Sequence, residues 1–147
     1  MSNQLMTIPD IVQGVATECF SLVKSHNSIN WDAEINYATQ LLCNNSFALQ
    51  IAQQNPVSVQ NALRNAAAIG ISLNPASKHA YLIPRKNGGQ MQICMDISYM
   101  GLLHLAMSTG SIEFGQAKLV YKNDHYENNG IDKAPSHKSN TFGDRGE

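Results

Sequence analysis

Gln90 and Gln92 in one run, and Gln116, Lys118 and Lys122 in another, stand at alternating positions that a strand would place on one side of a sheet. Arg85 and Lys86 sit beside the turn that precedes the first run. Amide, ammonium and guanidinium donors suit phosphate and sugar oxygens, contacts that hold a nucleic-acid backbone without reading its sequence. Tyr81 and Tyr99 could add aromatic surface on which bases stack. The competing reading is a solvated sheet face with both tyrosines in the core, and the residues alone leave the two open.

Other chemistries find less support. Asp96, His104, Asp124 and His125 are the residue types of a metal-dependent nuclease. Their spacing argues against one. His104 lies between Leu103 and Leu105 in a helical pattern, and Asp124-His125 reads as turn chemistry. His79, at a strand start, reads as structural or exposed. No Gly-x-x-x-x-Gly-Lys-Ser/Thr loop is present, which argues against ATP-driven strand exchange, and no Gly-x-Ser-x-Gly elbow is present. Cys19, Cys43 and Cys94 are odd in number and form no Cys-x-x-Cys pair, so neither a disulfide framework nor a zinc site is expected. Cys19 and Cys94 fall in apolar-patterned segments and read as buried thiols, which fits a reducing cytoplasm. No secretory leader is recognisable and no apolar run approaches membrane-spanning length.

Charge sharpens the first reading. The chain of 147 residues has a formal charge of −1, which by itself implies no polyanionic partner. Its distribution is uneven. Residues 1–60 carry one cation and four acids, residues 61–122 six cations and two acids, and the last 25 residues three cations and five acids. A basic middle between acidic flanks is a hint of nucleic-acid contact.

The elements that must position these residues follow from pattern. The first seven residues show no periodicity and are expected to be disordered. Pro9 opens a helix whose stripe of Val12, Val15, Ala16, Cys19, Phe20 and Val23 runs to about Ser25. His26-Asn27-Ser28 breaks it. Asn30 caps a second helix over 31–42, with Trp31, Ile35, Ala38 and Leu42 on one face. A short helix over 47–53 comes next. Asn55 and Pro56 then open a helix with Val59, Leu63, Ala66, Ala67 and Ile69 on its buried side, and Gly70 ends it. Strand composition over 79–85, a turn at Lys86-Asn87-Gly88-Gly89 and a return strand over 90–96 predict a hairpin. On the return strand Met91, Ile93 and Met95 alternate with Gln90, Gln92 and Cys94. Ser98 caps a short helix carrying Leu102, Leu103, Leu105 and Ala106, closed by Gly110. A third strand is expected over 112–121, with Ala117, Leu119 and Tyr121 toward the core. Tyr126 falls on one further short strand.

The predicted fold class is therefore α+β: N-terminal helices packed on a small antiparallel sheet made of the hairpin, a short helix and the third strand. Three regions are expected: helical 1–54, an α+β core over 55–130, and 131–147 as a polar tail or the start of a truncated continuation.

Several short motifs occur in a telling order. They are Ala66-Ala67-Ala68-Ile69-Gly70-Ile71-Ser72-Leu73-Asn74-Pro75, then His79-Ala80-Tyr81-Leu82-Ile83-Pro84, then Gln92-Ile93 leading to Ser98-Tyr99-Met100-Gly101-Leu102-Leu103-His104-Leu105-Ala106. Ser108-Thr109-Gly110 and Val120-Tyr121-Lys122-Asn123-Asp124 complete the series. In this order they resemble the RecT family of phage and prophage single-strand annealing proteins, over about residues 55–147.

The resemblance implies a role in DNA recombination without covalent catalysis, metal or other cofactor. Single-stranded DNA would be bound and paired with its complement without ATP, the annealed duplex being the product. The backbone would lie in a basic groove with the bases free. Arg85, Lys86, Gln90, Gln92 and Tyr99, with Gln116, Lys118 and Lys122, would contact the DNA. The resemblance also implies a homo-oligomeric ring or helical filament, a phage exonuclease and a host single-strand binding protein as partners, and the cytoplasm of a bacterial host. Alanine-rich helix faces and a sheet edge are the expected assembly surfaces. One departure is Met100, where family members commonly carry Arg or Lys. Another is that family members usually continue well past residue 147. Two alternatives stand beside this reading: a family member that binds single strands without annealing them, and a small metal-dependent nuclease.

Overall fold

The computed structural model describes residues 6–24 and 29–146. The expected break at His26-Asn27-Ser28 and most of the expected disordered start lie outside them. The fold is α+β, with helices and two small antiparallel sheets. It divides into two compact units, one ending at Glu113 and one beginning at Phe114.

In the first unit, α1 (Ile8–Gln13) begins earlier than the pattern implied. Thr7, expected in a disordered start, is its N-cap. It accepts from the Asp10 amide while the Asp10 carboxylate accepts from the Thr7 amide. The single helix expected from Pro9 is in fact two, because α2 (Ala16–Lys24) starts afresh after Gly14 and Val15. A continuous helix would give the Ile11 carbonyl to the Val15 amide. Instead Gln60 Nε2 donates to that carbonyl at 3.4 Å, and the Val15 amide donates to Val12. An ideal Cβ on Gly14 would lie 3.0 Å from the same Gln60 amide.

Asn30 caps α3 (Trp31–Cys43) as expected, and Asn45 caps α4 (Ser46–Gln54). Asn55 caps α5 (Pro56–Ile69), and Gly70, at φ 72°, ends it. The Gly70 amide donates to Ala67 and the Ile71 amide to Ala66, the pair of bonds that closes a helix over a left-handed residue. Val59, Ala62, Leu63, Ala66 and Ala67 are buried. Ile69 is exposed, contrary to expectation, because the buried stripe continues to Gly70 and Ile69 lies a helical step off it. The small alanines are used within this core, where α5 packs on α1, α2 and the hairpin, so Ala62, Ala66 and Ala67 are not an assembly surface.

Glu34 is a buried carboxylate in the core of the first unit. It accepts from Ser72 Oγ at 2.7 Å and from the Leu73 amide at 2.6 Å, tying the loop after α5 to α3. Burial pushes its carboxyl above the ordinary range, and these two bonds oppose the rise.

β1 (Ala80–Asn87) and β2 (Gln90–Ile97) form the hairpin, with Asn87 opposite Gln90 and Ala80 opposite Ile97. Gly88 and Gly89 make the two-residue turn at φ 58° and 86°, so the glycines themselves, not Asn87, supply the positive φ angles. Leu82, Ala80 and Ile93 are buried, with Met91, Met95 and Ile97 packed beside them. α5 closes part of the free edge of β2. Ser58 Oγ accepts from the Ile93 amide at 2.9 Å, and Asn55 Nδ2 donates to the Met91 carbonyl at 3.4 Å.

Ser98 caps α6 (Tyr99–Ser108) and bonds to the Lys78 and His79 carbonyls. Gly101 is required here, since a Cβ would meet the His79 carbonyl oxygen at 2.2 Å. The His79 and His104 rings stack at 4.4 Å, which gives both histidines a structural place. α6 forms where it was expected; within it only Gly101 is fully buried, and Tyr99, Met100, Leu102 and Met107 are exposed.

The third strand expected over 112–121, where the second unit begins, does not form. The backbone groups of residues 112–120 make no hydrogen bond among the described residues. Strand composition expresses itself only beside a partner edge, and this run has none. Ala117 and Leu119, expected to face the core, are exposed, Leu119 at 76%. Pairing occurs later, between β3 (His125–Glu127) and β4 (Ser136–Lys138), with Tyr126 opposite His137.

Candidate nucleic-acid interface

Side chains directly opposite each other in an antiparallel pair share a face. The outer face of the hairpin therefore carries Tyr81, Ile83, Arg85 and Asn87 from β1, and Gln90, Gln92, Cys94 and Asp96 from β2. Arg85 stands opposite Gln92 and Asn87 opposite Gln90, so three of the expected contact residues are brought together. Lys86 is not among them. It pairs with Met91 and takes the opposite face, as alternation along a strand requires. Tyr99, at the first turn of α6, is 74% exposed, and Tyr81 is half-buried, so neither is a core tyrosine.

The face is less positive than its residues imply. Arg85 Nη2 lies 2.6 Å from Asp96 Oδ2, both side chains being about half exposed. Gln92 Nε2 lies 3.4 Å from Cys94 Sγ. Cys94 is half-buried on this face, whereas Cys19 is fully buried. Arg64 is also engaged, with Glu18 at 2.9 Å. Lys78 and Lys86 make no ion pair among the described residues.

Gln116, Lys118 and Lys122 belong to the second unit and are exposed there. Phe114, Gln116, Lys118 and Val120, at alternating positions in the chain, line a groove of about 510 Å³ with Tyr126, Ala134, Pro135 and His137. Lys122 lies outside that lining.

The second unit is organised by a residue that sequence reasoning took for turn chemistry. The Asp124 amide does close a turn onto Tyr121, but its carboxylate is also a fully enclosed hub. It accepts from Arg145 Nη2 at 2.6 Å and Nε at 3.1 Å, from the Tyr121 amide at 3.1 Å and from the Asn140 amide at 3.2 Å. His137 Nε2 is 2.9 Å away. Arg145 also lies 4.1 Å from the centre of the Tyr121 ring. The Arg145 guanidinium above all holds the Asp124 carboxyl far below the usual carboxylate range, and Asp124 raises Arg145 in turn. Arg145 lies in a polar run with no periodic signal to announce it.

Among the described residues, no group of three or more His, Cys, Asp and Glu side chains is disposed to hold a metal ion. Asp96 is engaged with Arg85, His104 with His79, and Asp124 with Arg145. No described helix is long and apolar enough to cross a membrane.

The chain is thus an α+β fold whose hairpin displays amides and one ion-paired cation on its outer face. The RecT family model matches residues 33–147, most of the chain, and the protein belongs to the RecT family. The match takes in all but the first two residues of α3 and everything after it. No curated protein and no solved structure matches the chain significantly.

Proposed function

We propose that this protein binds single-stranded DNA and anneals complementary strands without ATP, as a non-enzymatic component of phage-type recombination. The observation that carries this reading is membership of the RecT family over residues 33–147. The hairpin's outer face supports it by gathering Arg85, Gln90 and Gln92 around one exposed surface, with Tyr99 exposed at the start of α6. Lys118 and Gln116 in the second unit supply further donors, and Lys122 and Lys86 add cations. Contacts to phosphate and sugar oxygens would hold the strand while leaving the pairing edges of its bases accessible.

Affinity per subunit is modest on this reading. Of the six cations in residues 61–122, Arg64 and Arg85 are ion-paired, leaving Lys78, Lys86, Lys118 and Lys122. Even if all four made contact, with Lys86 on the opposite face of the hairpin, the log–log salt slope for a single strand would be no steeper than about −3. Tight binding then requires several subunits on one strand, which fits a homo-oligomer. The product is annealed duplex, made in a bacterial cytoplasm alongside a phage exonuclease and a host single-strand binding protein.

The test is fluorescence-monitored pairing of complementary oligonucleotides with chelator present and no nucleotide. Accelerated pairing is expected. Binding without acceleration would leave a simple single-strand binder, and absence of both would refute the proposal.

A further inference from the structure

The Arg85–Asp96 pair stands where the proposed interface most needs a free cation. On the hairpin's outer face Arg85 is the sole cation and Asp96 the sole acid. They are not cross-strand partners. Arg85 is opposite Gln92, and Asp96 is opposite Tyr81, with the Ile83–Cys94 pair between them. Four residues of strand span roughly 13 Å, close to what an extended Arg and an Asp can bridge together. A 2.6 Å contact therefore requires both side chains to reach toward each other along the strand. The guanidinium is laid along the sheet and does not stand off it toward a ligand.

Half-exposed pairs of this kind contribute little to stability, so a strand staple is a weak account of it. The hairpin already has better anchors, Ser58 and Asn55 on the free edge of β2 and the Ser98 cap at its open end.

We propose that Asp96 is an internal competitor for phosphate, a positioning residue that holds Arg85 in a neutral, flattened state until a polyanion displaces it. This inference rests on the reading of the hairpin as a single-strand binding face. Displacement exchanges one ion pair for another. The guanidinium leaves the Asp96 carboxylate for a phosphate oxygen, one counterion leaves the nucleic acid, and the freed carboxylate takes up a cation from solution. Net counterion release from this contact is then close to zero. The arrangement weakens each subunit's hold and makes the contact readily reversible, which suits a surface on which strands must shift register while they search for complementarity.

The test is a double-mutant cycle on the whole chain, using fluorescently labelled oligo(dT) across a salt series. Asp96→Asn keeps the shape and removes the charge. It should tighten binding about two- to fivefold, the equivalent of releasing one exposed pair, and steepen the log–log salt slope by about 0.7. Asp96→Glu, which can restore the pair, should stay near the parent protein in both readouts. In an Arg85→Gln background, Asp96→Asn should change neither, because nothing remains to be released. Thermal melting of every variant checks that the fold is retained. A gain from Asp96→Asn that survives in the Arg85→Gln background would be long-range charge alone and would overturn the proposal. So would an unchanged slope or a loss of affinity. If no variant binds oligo(dT), parent included, both this inference and the single-strand binding reading fall; binding without coupling between the two positions removes only the inference.

Discussion

Glu34 offers the sharpest check on how the first unit is held together. Its carboxylate is 3% exposed and accepts from the Ser72 hydroxyl and the Leu73 amide. Glu34→Ala leaves the Leu73 amide, a buried donor that cannot rotate away, without its partner. Losing a hydrogen bond to a charged acceptor and stranding the donor costs about 2–3 kcal/mol. Glu34→Gln should behave differently. Its Oε1 can still accept from the Leu73 amide, and its NH₂ can donate to the Ser72 hydroxyl, so both links survive without a buried charge. Its stability at pH 7 should equal or exceed the parent's. The sign of the pH dependence follows from the raised carboxyl. The folded state binds the Glu34 proton more tightly than the unfolded chain does, so stability is greatest below the unfolded value of about 4.3 and falls as pH rises from there through the folded value. Glu34→Gln should remove that slope. Urea denaturation followed by the emission of Trp31, the chain's single tryptophan and a buried residue of the same helix, reads all three effects. With a slope of about 1.5 kcal/mol/M, Glu34→Ala should lower the midpoint by about 1.5 M. If Glu34→Gln is as damaging as Glu34→Ala, the charge itself holds the loop and the hydrogen-bond argument is wrong.

Gly101→Ala should destabilise the first unit by about 1–3 kcal/mol despite alanine's better helix propensity, because the new Cβ collides with the His79 carbonyl. Thermal melting would show it, and hydrogen exchange should locate the loosening in α6 and the start of β1. Cys19 is fully buried, and burial pushes its thiol up to about 11, whereas Cys43 is exposed. A thiol reagent at pH 8 should therefore modify Cys43 promptly and Cys19 only on unfolding; rapid reaction of Cys19 in the folded protein would contradict the packing of α2. Asp124→Asn should open the segment 121–146 to protease at pH 7. In the parent, the depressed carboxyl keeps the Arg145 contact present above the unfolded value of about 3.9, and it is lost only as pH falls further, so resistance should persist down to about pH 4.

What could be read in advance was local. Asn30 and Asn55 cap helices through atoms three residues away, and the Gly88-Gly89 turn and the alternation of β2 need nothing beyond the hairpin. Alternation also sends Arg85 and Lys86 to opposite faces, a consequence obscured by grouping them at the hairpin tip. What could not be read depends on distant partners. The break between α1 and α2 reflects Gln60, and the role of Glu34 reflects Leu73. Asp124 becomes a hub only because Arg145 returns to it. The run 112–120 has a strand's composition but no edge beside it. For the interface, the residue types were legible, while the diagonal pairing that masks Arg85 was not.

Ser58 and Pro84 have a consequence at high protein density. A two-stranded ribbon with bare margins invites fusion with its neighbours. Here the Ser58 hydroxyl and the Asn55 amide occupy backbone groups of β2 that an intruding chain would need. On the opposite margin, Pro84 stands across from Ile93, whose amide turns away from β1, so Pro84 occupies an outward position and offers no N–H there. Copies at high concentration can therefore lie side by side with little risk of welding into aggregates.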